Sequence, residues 1–110
     1  MEPLLRRLRQ FRDERDWSQF HTPKDLAVSV SIEAGELLEL FQWRAESAPV
    51  EEDVKAAVAD EAADVLLYLL MLCDRLEIDL EQAAHEKISR NERRYPIESS
   101  FGIARSRRKF

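Results

Sequence analysis

One cysteine and two glycines in 110 residues leave several kinds of protein out of reach. With Cys73 alone there is no intramolecular disulfide framework and no cysteine-built zinc cluster. Glycine ordinarily makes up about 7% of a chain, and its scarcity here starves the tight turns that β-sandwiches and barrels require. No apolar run approaches the roughly 18 residues of a membrane span. The opening Met1-Glu2-Pro3-Leu4-Leu5-Arg6 has no long apolar stretch of the secretory kind. Positive charge is also short: Lys+Arg 17 against Asp+Glu 22 leaves −5 at pH 7. An acidic surface repels phosphate backbones, so nucleic-acid binding driven by net charge is disfavoured. The length suits one domain. These bounds describe a soluble, cytoplasmic, single-domain helical protein, with neither nucleic acid nor membrane as partner.

What the chain does have is amphipathic helix: 45% hydrophobic residues beside 35% charged ones. Leu4, Leu5, Leu8 and Phe11 recur at helical spacing and predict a first helix over Pro3 to Arg15, with Arg6, Arg9 and Arg12 mostly facing away. Thr22 as N-cap, Pro23 behind it and Asp25 three residues on predict a second, running to about Trp43. A third starts near Pro49, has Glu51, Glu52 and Asp53 in its first turn, and carries Val54, Val58, Ala62, Val65, Leu69, Leu72 and Leu76 over about 25 residues. A fourth starts at Asp79, with Gln82 placed for a capping box, and stops at Tyr95-Pro96. Residues 1–97 are therefore expected to form the domain, and 98–110 a basic, flexible C-terminal tail. Short connections predict an all-α, antiparallel four-helix bundle, and its broad apolar stripes predict a homo-oligomer.

Most acids read as solvated surface charge, among them Glu14, Asp16, Glu46, Glu77 and Glu98. Two pairs do not. Glu33 lies three residues after Val30, four before Leu37 and seven from Leu26 and Leu40, on the apolar stripe where a carboxylate is costly to bury. Glu36 lies about 60° around the same helix. Glu61 lies three after Val58 and four before Val65, and Asp64 is its i+3 neighbour. Two acid-x-x-acid pairs facing inward from paired helices repel unless protonated or neutralised by cations. An all-oxygen donor set favours Mg²⁺ or Mn²⁺ over zinc or copper and suits a metal–nucleotide complex. Spacing alone does not separate ligand from general base.

Glu33-Ala34-Gly35-Glu36 followed by Glu61-Ala62-Ala63-Asp64 resembles the ExxE…ExxD signature of the all-α nucleoside triphosphate pyrophosphohydrolases, the MazG-like superfamily. The likeness continues in Arg15-Asp16-Trp17-Ser18-Gln19-Phe20-His21, in Gly35 to Trp43, in Asp64 to Leu69 and in Lys87 to Pro96. Together these segments resemble the dCTP pyrophosphatase branch over about residues 10–97. The resemblance implies Mg²⁺-dependent hydrolysis of a nucleoside triphosphate, dCTP or a modified dCTP, to the monophosphate and pyrophosphate. It implies that Glu33, Glu36, Glu61 and Asp64 hold the metal and carry catalysis, with Glu33 the favoured general base. It also implies a nucleoside pocket from His21, Trp43 and Tyr68, joined by Trp17, and phosphate or sugar contacts from Lys87 and Asn91, extended by Arg94 and Tyr95. Relatives of this kind form dimers, or tetramers built as paired dimers. The ending Ala104 to Phe110 and the short Trp43-to-Val54 connection depart from the branch and leave the pocket mouth, and so the base, open.

Two other readings compete. A di-iron carboxylate bundle needs Glu-x-x-His on two helices, and neither His21 nor His85 lies three residues after a glutamate. A non-catalytic helical interaction module would leave the acids solvated, against the register of Glu33 and Glu61. Within the resemblance, the same chemistry on other canonical or damaged nucleotides is the alternative.

Overall fold

The computed structural model describes residues 1–103; the basic run 104–110 of the expected tail lies outside the described residues. The described residues are helical throughout, without a strand: α1 (Glu2–Glu14), a 3₁₀ turn (Trp17–Phe20), α2 (Pro23–Glu39), α3 (Glu52–Arg75), α4 (Leu80–Arg94) and the short α5 (Ile97–Ser100). They divide into two compact units, one of residues 1–78 and one of the described residues from Asp79 onward.

Local chemistry accounts for most boundaries. The Thr22 side chain accepts from the Asp25 backbone N–H at 3.2 Å and Pro23 occupies the first turn, so α2 begins where capping rules place it. It ends at Glu39, four residues before the expected Trp43, where Leu40 and Phe41 donate to carbonyls only three residues back and tighten the turn. Pro49 precedes α3 and does not open it; Arg44 donates to the Pro49 carbonyl across the connection. Asp79 caps α4 by accepting from the Gln82 N–H at 3.0 Å. The Gln82 side chain itself donates from Nε2 to Glu86 Oε1 at 3.1 Å, one turn along the helix.

Two turns depend on non-glycine residues in left-handed backbone. Asp16 (φ 52°) turns the chain out of α1, and the Gln19 amide braces it by donating to the Asp16 carbonyl and carboxylate, each at 3.1 Å. Glu77 (φ 56°) ends α3: Ile78 donates to Cys73 at 2.8 Å and Glu77 to Asp74 at 3.1 Å, the paired bonds of a Schellman ending. Glycine ordinarily fills that place, and a side chain there costs about 1 kcal/mol.

Within the first unit α2 packs extensively on α3, while α1 touches α3 more sparsely. Leu8, Leu26, Leu70 and Cys73 are the buried hydrophobic residues. On α3 the buried residues are Leu70 and Cys73; of the expected stripe, Ala62 and the last member Leu76 are exposed and the rest half-buried. Arg9 and Arg12 do not face away as expected. Asp74 draws both onto α3, Arg9 through Nε at 3.0 Å and Arg12 through Nη1 at 3.1 Å. In the second unit α4 is an amphipathic helix and α5 a single turn after Pro96.

Candidate active site

The packed pair α2 and α3 brings the inward acids together. One carboxylate oxygen from each of Glu33, Glu61 and Asp64 lies within 4.8 Å of the others, and all three residues are partly buried. Glu36, one turn along α2, is more exposed but close enough to hydrogen-bond both Glu33 and Glu61. Glu33 Oε2 and Glu61 Oε2 are buried without a hydrogen-bond partner. A carboxylate oxygen deprived of water and of donors favours protonation or a cation. Burial pushes the Glu33 carboxyl up to about 7, with help from Glu36, then Glu61 and Asp64. Glu61 is also raised, by burial first and then by the charges of Glu36 and Asp64, while a hydrogen bond with Glu33 opposes the shift.

The donor set fits a hard divalent ion. Oxygens ligating Mg²⁺ at about 2.1 Å sit roughly 3–4 Å apart, a little closer than the 4.8 Å limit within which these oxygens lie. No histidine or cysteine belongs to the cluster, so softer metals have no preferred ligand there. Glu33, Glu61 and Asp64, with Glu36 adjoining, are the residues able to hold such an ion.

A cleft of about 480 Å³ opens beside the cluster, between α1, the 3₁₀ turn and α3. Asp64 belongs to both. Trp17, His21 and Tyr68 line the cleft, with Phe11, Leu67 and Met71. Trp17 and Phe11 pack edge to face at 5.6 Å between ring centroids, which sets the Trp17 ring. His21 Nδ1 is buried without a partner, and burial together with the nearby Arg12 charge lowers the pKa of the ring. At neutral pH the imidazole is therefore uncharged, able both to donate and to accept.

The remaining candidates are elsewhere. Trp43 follows α2 with 89% of its surface exposed and does not line the cleft. Lys87, Asn91, Arg94 and Tyr95 belong to the second unit. Lys87 and Arg94 are exposed, Asn91 is partly buried, and the Arg94 guanidinium lies over the Tyr95 ring at 5.7 Å. Phe11, Arg7 and Arg12 are cleft residues that sequence reasoning missed. The α1 stripe looked like core, and periodicity does not distinguish a helix face that fills a core from one that walls a cavity.

Comparison with known proteins agrees with this arrangement. The sequence profile of the MazG-like family matches residues 28–109. A dCTP pyrophosphatase from Mus musculus is 41% identical over 94% of this chain, and its human counterpart 42% identical over 86%. The chain spans 65% and 61% of the length of those two relatives. Among solved structures, a pyrophosphatase from Archaeoglobus fulgidus superposes with a TM-score of 0.78 at 54% identity, covering 87% of this chain and 92% of that one. The inward acid pairs, the all-α fold and these similarities lead to one conclusion: the chain belongs to the MazG-like family.

Proposed function

We propose that this protein is a divalent-metal-dependent nucleoside triphosphate pyrophosphohydrolase acting on dCTP or a modified dCTP, with Mg²⁺ as its ion and Mn²⁺ as a substitute. The observation that carries the reading is the cluster of Glu33, Glu61 and Asp64, short of cations and next to a nucleoside-sized aromatic cleft through the shared Asp64. The names of the mammalian and archaeal relatives support the reaction class, and the dCTP label of the mammalian ones supports the base.

A bound divalent ion would supply charge neutralisation for the triphosphate and acidify a water. The protein's own part is to orient the α–β anhydride and to receive a proton. Water adds at one phosphorus of that bond and the other phosphate departs, giving monophosphate and pyrophosphate. Glu33 takes the water's proton, as a carboxylate of the cluster whose buried Oε2 has no hydrogen-bond partner. Glu33, Glu36, Glu61 and Asp64 would hold the ion. Trp17 and Tyr68 sandwich the base, and neutral His21 bonds its polar edge. Trp43, outside the cleft of its own chain, would serve the nucleoside pocket of a neighbouring copy, and Lys87 and Asn91, with Arg94 and Tyr95 beside them, are the proposed phosphate or sugar contacts.

The protein works as a homo-oligomer, a tetramer of paired dimers or a dimer. Val28, Ile32 and Leu38 are 46%, 55% and 63% exposed on the side of α2 away from Glu33. Gly35 lies on that side too, and a Cβ there would meet nothing within 4 Å. A mid-helix glycine costs about 1 kcal/mol against alanine, which makes sense where a second copy approaches closely.

Pyrophosphate release from a panel of deoxy- and ribonucleoside triphosphates, with Mg²⁺ and with EDTA, tests the activity. Metal-dependent release strongest on dCTP or a 5-modified dCTP is expected. Release strongest on another base overturns the substrate, and no release from folded protein overturns the reaction and favours an interaction module. Sedimentation tests the assembly, a monomer being the adverse result.

A further inference from the structure

The cleft between α1 and α3 has mostly apolar walls, yet it stays open at about 480 Å³. Apolar surfaces facing one another across water close up unless something holds them apart. Apolar packing of α1 is slight, with Leu8 its one buried residue. The firmest attachment of α1 is polar and lies on α3 at Asp74, ten residues or about 15 Å along the helix from Asp64. There Asp74, its side chain 14% exposed, accepts from Arg9 Nε at 3.0 Å, Arg9 Nη2 and Arg12 Nη1 at 3.1 Å. Arg12 Nε is held in turn by Asp13 at 2.8 Å. Planar guanidinium groups bound at two points fix direction as well as distance. Arg12 also lines both the large cleft and a smaller polar one that contains Ser18, His21 and Asp74.

We infer that Asp74 is a positioning residue for the base end of the cleft: through Arg9 and Arg12 it sets the spacing of α1 from α3, and so the gap between Trp17 and His21 on one wall and Tyr68 on the other. It touches no substrate. The inference rests on the nucleotide reading for its effect on turnover, but the spacing itself is a property of the free protein. The acid cluster lies between α2 and α3, outside the reach of this fork.

Steady-state kinetics of the full chain compare wild type with Asp74→Asn, Asp74→Glu and Arg12→Lys. Asp74→Asn is expected to raise KM for the preferred triphosphate by about tenfold, with kcat at saturation changed by less than about twofold. The Mg²⁺ concentration for half-activation stays the same, and Asp74→Glu recovers most of the loss. Should Asp74→Asn not fold, Arg12→Lys, which keeps the charge and loses the fork, is expected to raise KM in the same way. An unchanged KM, or a fall in kcat alone, overturns the inference. A second readout is independent of turnover: acrylamide quenching of Trp17 in a Trp43→Phe background. Asp74→Asn or Arg12→Lys is expected to change the quenching constant, and an unchanged constant overturns the inference even if no triphosphate proves to be a substrate.

Discussion

Helix α3 carries two carboxylate sites that are treated in opposite ways. At one, Glu61 and Asp64 meet Glu33 with Glu36 adjoining, and Glu33 Oε2 and Glu61 Oε2 are left buried without partners. At the other, three turns on, Asp74 is gripped by Arg9 and Arg12. Burial acts against charge at both. At Asp74 the guanidinium hydrogen bonds win and hold the carboxyl below its usual range; at Glu33 nothing opposes burial and neighbouring acids add to it. A paired acid is a fastener, whereas a cluster of acids short of cations stores repulsion that a cation can relieve. Carboxylates on one helix thus serve structure in one place and, under the proposed function, chemistry in the other.

Neutralising the cluster should have the largest effect. Glu33→Gln or Glu61→Gln is expected to lower turnover by about 100-fold or more. Melting of the metal-free protein should stay level or rise, because a repulsive charge has gone. A variant with near wild-type pyrophosphate release would remove the cluster from the chemistry. Metal should come next. Mg²⁺ at about 100 times its Kd stabilises by about 2.7 kcal/mol, several degrees in Tm, and EDTA reverses it. Glu61→Gln should lose most of that gain and Asp74→Asn should keep it. Equal gains in both variants would place the ion elsewhere.

Breaking the fastener should cost less. Asp74→Asn is expected to lower unfolding stability by about 1–3 kcal/mol, measured by urea titration, since its partners are part-exposed. The smallest effect is on pH dependence, and its sign differs between the sites. Asp74 titrates lower folded than unfolded, so its contribution is present above its ordinary 3.8 and is lost as pH falls through the folded value. Glu33 titrates higher folded, about 7 against 4.5, so its charged form opposes folding increasingly as pH rises through that window. Metal-free stability should therefore rise on leaving acid and sag between about 4.5 and 7. Glu33→Gln should reduce the sag and leave the acid limb, while Asp74→Asn should do the reverse. Glu61, also raised by burial, leaves a smaller sag after Glu33→Gln, whereas a sag undiminished by that change would move the main titrating group elsewhere.

Helix starts and the acid cluster were legible because their causes are local. Thr22-Pro23 and Asp79 cap within three residues, and Glu33 and Glu61 betray themselves by interrupting a stripe. The end of α2 was less legible, since no proline or glycine marks Leu40 and three-residue bonds close the helix there. Asp74 was not legible at all. Nothing in a run of Leu72-Cys73-Asp74-Arg75 indicates that two arginines more than sixty residues away will bind it.

From residue order alone come the helical class, the register of the inward acids, their preference for a hard cation and the family likeness. The first three follow from periodicity or from the chemistry of a side chain, and the likeness from the order of the motifs. Only the tertiary structure decides that Glu33, Glu61 and Asp64 share one spot, that α1 walls a cleft with Trp17, His21 and Tyr68, and that Trp43 does not line it within this chain. Distances between helices depend on how their faces pack, and packing sums small contributions from residues far apart in sequence, which no local pattern records.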